Sequence, residues 1–177
     1  FRGPPEAIRR EWKIARDTGK RGYTTEQVLA DLERREPESE EFIRPQRRFA
    51  DIVVRFAPIP SRHDPPGSPL SAELLLRPTI QHPSFGSVLT DENRAAIHLK
   101  IIRDRDGTPT DCPHVHGYMS PEDARQIEKA IWAELDSPHA PPDALGQISA
   151  NVRSEPLALT QLILLYHLLQ AKSLRGS

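Results

Sequence analysis

Cysteine, methionine, glycine and aromatic residues are all scarce in this chain. Cys112 stands alone among 177 residues. No intrachain disulfide and no cysteine-rich zinc cluster can form, and a reducing, cytoplasmic setting is expected. Nine glycines occur, none adjacent to another, and no Gly-x-x-x-x-Gly-Lys-Ser/Thr is present. These residues therefore do not supply the glycine-rich cradle that holds nucleotide phosphates on backbone N–H groups. The longest apolar run, around Leu162 to Leu169, falls well short of the ~20 residues that span a bilayer. No secretory signal pattern is visible, so no membrane partner is expected. A net charge of −1 excludes polyanion binding by bulk charge.

What is abundant is proline and charge. Eighteen prolines concentrate at 58–83 and 138–142 and mark loops. Apolar content of 37% with 28% charged residues fits a globular chain on the polar side. The length suits one domain, or a piece of one joined to another. Charge is unevenly placed. The first 22 residues hold seven Lys/Arg against three Asp/Glu, a local charge of +4. On a helix, Arg9, Lys13, Arg16 and Lys20 fall four, three and four residues apart, along one side. Two anions suit such a stripe, a polyphosphate or a nucleic-acid backbone; a solvated helix face is the plainer alternative. Acidic residues crowd the following stretch, from Glu26 to Glu41. That weighs against nucleic acid, and no such partner is expected.

The segment Lys13-Ile14-Ala15-Arg16-Asp17-Thr18-Gly19-Lys20-Arg21-Gly22-Tyr23-Thr24 resembles the lid of the phosphoribulokinase and uridine kinase family. Tyr23 to Glu36 resembles the helix after that lid, with an Arg-x-Pro ending at Arg35 and Pro37. Phe42 to Val54 is similar to the family's Ile-x-Pro-Gln-x-x-x-Ala-Asp block and its following strand. The resemblance covers Arg9 to about Pro58, a little over a quarter of the chain. Uridine kinases end soon after this strand, whereas phosphoribulokinases carry a long further region, as this chain does. The family's glycine-rich loop lies upstream of the lid, so the chain is expected to be a C-terminal portion, beginning at Phe1 without an initiator Met. The implied fold class is α/β. Residues 1–58 would supply lid helices and the last strand of a P-loop kinase domain, 59–71 a Pro-rich linker, and 72–177 a small α+β module.

The resemblance also implies chemistry: MgATP-dependent phosphorylation of a sugar-phosphate hydroxyl, with ribulose 5-phosphate as the family's acceptor. ATP and Mg2+ would be bound mainly by parts outside this chain, which alone should be inactive. Lys13, Arg16 and Arg21 match the lid cations, with Asp17 holding or orienting one of them. Mobile cations that close over phosphates stabilise the spreading charge and exclude water. Surface salt bridges are the plainer role for them. Arg35 would bind substrate phosphate, an effector or a neighbouring subunit, or simply cap a helix end. Arg47 and Arg48 would touch nucleotide, or mark a positive helix terminus. Plant and cyanobacterial members carry a Cys-Gly-Arg-Lys-Leu-Thr-Cys stretch that is missing here, so a thiol switch of that kind is not expected.

Pattern places the elements. Pro4-Pro5-Glu6 opens a helix running to about Thr18, with Ile8, Trp12 and Ala15 as its apolar stripe. Thr24-x-x-Gln27 is a capping box opening a second helix, buried at Val28, Leu29 and Leu32 and ended by Pro37. A third helix is expected over 38–49. The strand at 51–56 is apolar enough for a parallel sheet covered on both faces. Strands are expected at 72–77, 95–103 and 114–118, with Asp104-Arg105-Asp106-Gly107 as a turn. Ser120-Pro121 opens a helix through Leu135, buried at Ala124, Ile127, Ile131 and Leu135. A final helix, 155–169, is apolar almost all round and belongs in a core or a subunit interface. It is the reason a homo-oligomer, at least a dimer, is expected. His114 and His116 share a strand face with Asp111 and Cys112 nearby. A closed zinc site wants four ligands, and no metal is expected. His167, in the apolar helix, reads as a hydrogen-bonded core histidine.

Overall fold

Thr24 sets the register of the first structural unit. Its hydroxyl accepts from the Gln27 N–H while the Gln27 side chain accepts from the Thr24 N–H, at 3.3 and 2.9 Å. This reciprocal cap starts helix α2 (Thr25–Glu38) just after helix α1 (Glu6–Arg21) has stopped at Gly22, whose φ of +71° suits glycine. The computed structural model describes residues 6–59, 62–65, 67–91 and 94–173. The helix opening expected at Pro4-Pro5 lies outside them. α1 and α2 form a hairpin that buries Val28 and Leu32. The apolar stripe expected on α1 is not buried. Trp12 is 50% exposed, and the buried residue of α1 is Asp17. The reason is that α1 packs chiefly on α2 and not on a sheet.

Pro37 does not end α2. Its missing N–H removes one bond near the helix C-terminus, and the Ser39 N–H bonds to the carbonyls of Arg35 and Glu36. The chain then passes through a π-helical turn (Ser39–Ile43) into a 3₁₀ turn (Arg44–Phe49), with Pro45 near its start. Both variants accommodate an interrupted bonding ladder better than a continued α-helix. The third helix expected over 38–49 is thus two irregular turns.

Strand β1 (Ile52–Ala57) pairs antiparallel with β2 (Ser71–Leu76), from Ile52 opposite Leu76 to Ala57 opposite Ser71. This corrects the expectation of a parallel sheet. With β3 (Ile97–Arg103) and β4 (Pro109–Val115) the sheet order is β1-β2-β4-β3, antiparallel throughout. β1 is an edge strand, yet Val53 is buried on one face while Ile52, Val54 and Phe56 pack on the core from the other. Burial on both faces makes the strand apolar, whichever way its neighbour runs.

Two helices cover the sheet. Ser120 caps α3 (Pro121–Ala133), accepting from the Asp123 N–H, with Pro121 in the first turn. α4 (Glu155–Ser173) follows a small hairpin of β5 (Gln147–Ser149) and β6 (Val152–Arg153). Ile127 and Ile131 of α3 meet Leu159, Leu162 and Ile163 of α4 over Leu74, Leu76, Ile97 and Val115 of the sheet. Each of these fully buried aliphatic side chains contributes about 1.5–3 kcal/mol. The fold is therefore mixed helix and sheet. Among the described residues no helix is long and apolar enough to cross a membrane.

Candidate functional site

The basic residues of the helix hairpin are gathered by two carboxylates. Asp31 of α2 accepts from Lys13 Nζ across the hairpin at 2.7 Å, from Arg34 at 2.6 Å and from Arg35 Nε at 3.1 Å. Three cations share one carboxylate, a local charge of +2. Asp17, buried in α1, accepts from Arg16 at 2.8 and 3.1 Å, and Arg21 lies 3.5 Å away. Hydrogen bonds from Lys13 and Arg34 hold the Asp31 carboxyl well below the usual carboxylate range. The bond from Arg16 lowers that of Asp17. Both carboxylates are thus favoured in the ionised form that pairs with these cations.

Between the helices lies an open cleft of about 760 Å³. Arg9, Trp12, Lys13 and Arg16 line it from α1 and Leu32, Arg35, Glu36 and Glu38 from α2, and the turn at Ser39 and Ile43 closes one end. An apolar floor with a cationic wall and an exposed indole suits an anionic ligand of moderate size. Spacing at three and four residues puts the cations on one face, and the capped turn at Thr24 folds α2 back on α1 so that Asp31 meets Lys13.

The structure thus brings Lys13, Arg16 and Arg35 together, and Arg21 joins Arg16 on Asp17. It places the other two expected residues elsewhere. Arg47 donates to Asp104, which also receives Arg77 Nε at 2.9 Å; Arg77 Nη1 in turn donates to the Arg48 carbonyl at 2.7 Å. These side chains are 12%, 1% and 6% exposed for Arg47, Asp104 and Arg77. Arg48 lies over the Phe49 ring, 4.5 Å from its centroid. One residue of the cluster, Asp31, escaped sequence reasoning. Asp31 carried a visible signal, since Arg34 and Arg35 follow at three and four. Its contact with Lys13, 18 residues earlier, had none.

Four of the seven histidines form two pairs. His98 and His114 stack with ring centroids 4.6 Å apart, in a row across the sheet with Glu73 and Arg55. His82 Nε2 donates to the Arg77 carbonyl, and its Nδ1 lies 3.3 Å from His167 Nε2. No group of three or more His, Cys, Asp or Glu among the described residues could hold a metal ion. Cys112 is buried, and burial pushes its thiol up to about 11.

Comparison with known proteins bears on the hairpin. The family described as "Phosphoribulokinase / Uridine kinase family" matches residues 4–61. This segment resembles the phosphoribulokinase / uridine kinase family over about a third of the chain. The match takes in α1, α2, both irregular turns and β1. A phosphoribulokinase from Synechocystis is 40% identical over 53 residues, 30% of this chain and 16% of that protein. The chloroplastic phosphoribulokinases of Arabidopsis thaliana and Triticum aestivum are 34% and 36% identical over 74 and 73 residues, each match covering 40% of this chain and 18% of the relative. The matched part spans under a fifth of the length of these relatives.

Proposed function

We propose that the α1–α2 hairpin is the phosphate-gripping lid of a phosphoribulokinase-like enzyme, and that the rest of the chain is the C-terminal part of that P-loop kinase. The reaction is the MgATP-dependent phosphorylation of ribulose 5-phosphate. The observation that carries this reading is the convergence of Lys13, Arg16 and Arg35 on one open cleft within the family-matched segment. The cation set fits a polyphosphate: Lys13 has N–H groups left after serving Asp31, and Arg35 engages Asp31 through Nε, leaving both terminal nitrogens. ATP supplies the phosphoryl group. Lys13 and Arg16 bind and orient its phosphate oxygens, and closure of the hairpin excludes water from the acceptor. Among the described residues no group of three or more carboxylates or other ligands could hold a metal ion, and Asp17 and Asp31 are paired with cations. The Mg2+ ligands belong to the rest of the enzyme.

The test is Arg16→Ala in the full-length protein. The expected result is a fall in kcat/KM for MgATP of roughly 100-fold or more, the scale of losing one charged donor to the transition state. An unchanged kcat/KM would remove the lid assignment. A panel of acceptors, including nucleosides, separates ribulose 5-phosphate from the substrates of other kinases on this scaffold. A second reading, an assembly module, draws on α4, where Leu168 is 69% and Leu164 38% exposed. A single monomeric species in sedimentation at high concentration would oppose it.

A further inference from the structure

Asp31 sits at the centre of the cationic cluster without lining the cleft. We propose that it is a positioning residue for polyphosphate binding: it holds Lys13, Arg34 and Arg35 together as one preformed anion-binding unit. The inference rests on the lid reading above. Its warrant is the way the donors are spent. Three side chains that would repel one another share a single acceptor, at 2.7, 2.6 and 3.1 Å. Lys13 comes from α1 and the two arginines from α2, so the carboxylate also fixes how the two helices present their cations. Of the three, Lys13 and Arg35 line the cleft. Their long side chains are already ordered before any anion arrives, which removes much of the rotamer cost of binding. Arg35 spends only its Nε, and Lys13 keeps donors for a ligand.

This role makes a prediction opposite in sign to simple electrostatics. Asp31→Asn makes the cleft more positive by one charge. If charge alone mattered, MgATP would bind more tightly. If Asp31 acts by positioning, binding weakens, because Lys13 and Arg35 separate and must be gathered again by the ligand.

The experiment is steady-state kinetics of the full-length protein with MgATP as the varied substrate and ribulose 5-phosphate as acceptor. Asp31→Asn is expected to raise KM for MgATP roughly fivefold with kcat within about twofold, as for loss of uniform binding. Asp31→Glu, which keeps the charge, should recover most of the effect. In a Lys13→Met background the Asp31→Asn effect should shrink to about twofold, because one of the two cleft-lining residues through which it acts is gone. A merely structural role would survive in that background. An unchanged or lowered KM in Asp31→Asn would overturn the inference, and so would an undiminished effect in the Lys13→Met background. If Arg16→Ala costs activity while Asp31→Asn does not, the lid reading stands and only the positioning role falls. If Arg16→Ala is neutral, both fall.

Discussion

Replacing Asp104 with alanine tests the buried ion cluster that joins the family-matched segment to the sheet. Asp104 follows β3 and opens the turn to β4, where Gly107 takes a φ of +85°. One carboxylate oxygen accepts from Arg47 and from the Arg105 N–H at 2.7 Å, the other from Arg77 Nε at 2.9 Å. Arg77 follows β2, and Arg47 belongs to the 3₁₀ turn before β1, so one carboxylate ties three parts of the chain. Burial alone would raise its pKa. The hydrogen bonds from Arg47 and Arg77 outweigh that and bring it down to about 2. Removing the carboxylate leaves Arg77 charged at a site where its side chain is 6% exposed. Breaking a buried pair in this way costs about 3–5 kcal/mol. At the 2–4 °C per kcal/mol typical of this chain length, Tm should fall by about 6–20 °C. Arg47→Met should cost less, because Asp104 keeps Arg77. The pH dependence has a definite sign. The folded pKa lies below the ordinary value of 3.8, so the stabilisation is fully present above about pH 4 and is lost as pH falls towards 2. It amounts to at most about 2 kcal/mol. Calorimetry at pH 7 and at decreasing pH measures both. A fall in Tm below about 2 °C for Asp104→Ala would refute the reasoning.

The stacked histidines should lower stability on mild acidification. Burial, together with the neighbouring Lys100 and histidine charges, depresses the pKa of both His98 and His114, against a weaker opposing pull from Glu73. Below about pH 6.5 the unfolded chain therefore takes up protons that the folded chain refuses, and stability falls until the folded pKa values are passed. His98→Phe/His114→Phe should flatten urea-midpoint profiles between pH 7 and 5; a wild-type profile that is already flat would contradict this. Gly146→Ala should be severe, because the residue has φ +75° and a new Cβ would lie 2.6 Å from the Ser154 carbonyl oxygen and 2.7 Å from the Ala158 Cβ. A loss of about 2–4 kcal/mol is expected, measured by chemical denaturation, and a loss under about 0.5 kcal/mol would show that the start of α4 can move aside.

The helix hairpin was legible because its signals are local. The Thr24 capping box, the stop at Gly22 and the cation spacing all lie within a few residues of what they determine. α3 was legible for the same reason, from Ser120-Pro121 and a periodic apolar face. What was not legible depends on partners far along the chain. β1 reads as apolar in either orientation, and its antiparallel pairing with β2 is decided across residues 58–70. β4 begins at Pro109, earlier than expected, and runs through Pro113, which has no N–H to give to a ladder. The ladder accommodates it: β2 pairs with β4 at Ala72–Val115 and Glu73–His114, and again at Leu76–Asp111. The β5–β6 hairpin is too short, and its Ile148 and Val152 too exposed, to leave a pattern. In the candidate site, the cations on α1 follow from residue type and spacing alone. The pairing of Arg47 with Asp104, 57 residues away, left no local signal.

The central claim is that the hairpin cations grip nucleotide phosphates. It is tested most directly by nuclear magnetic resonance of ¹⁵N-labelled arginine side chains in the full-length protein, titrated with MgATP. The Nε–H signals of Arg16 and Arg35 should shift saturably, while that of Arg77, buried on Asp104, stays in place and serves as the internal control. If Arg16 and Arg35 do not respond to MgATP, or respond no differently to the same ionic strength of sodium sulfate, the hairpin is not a lid over the nucleotide.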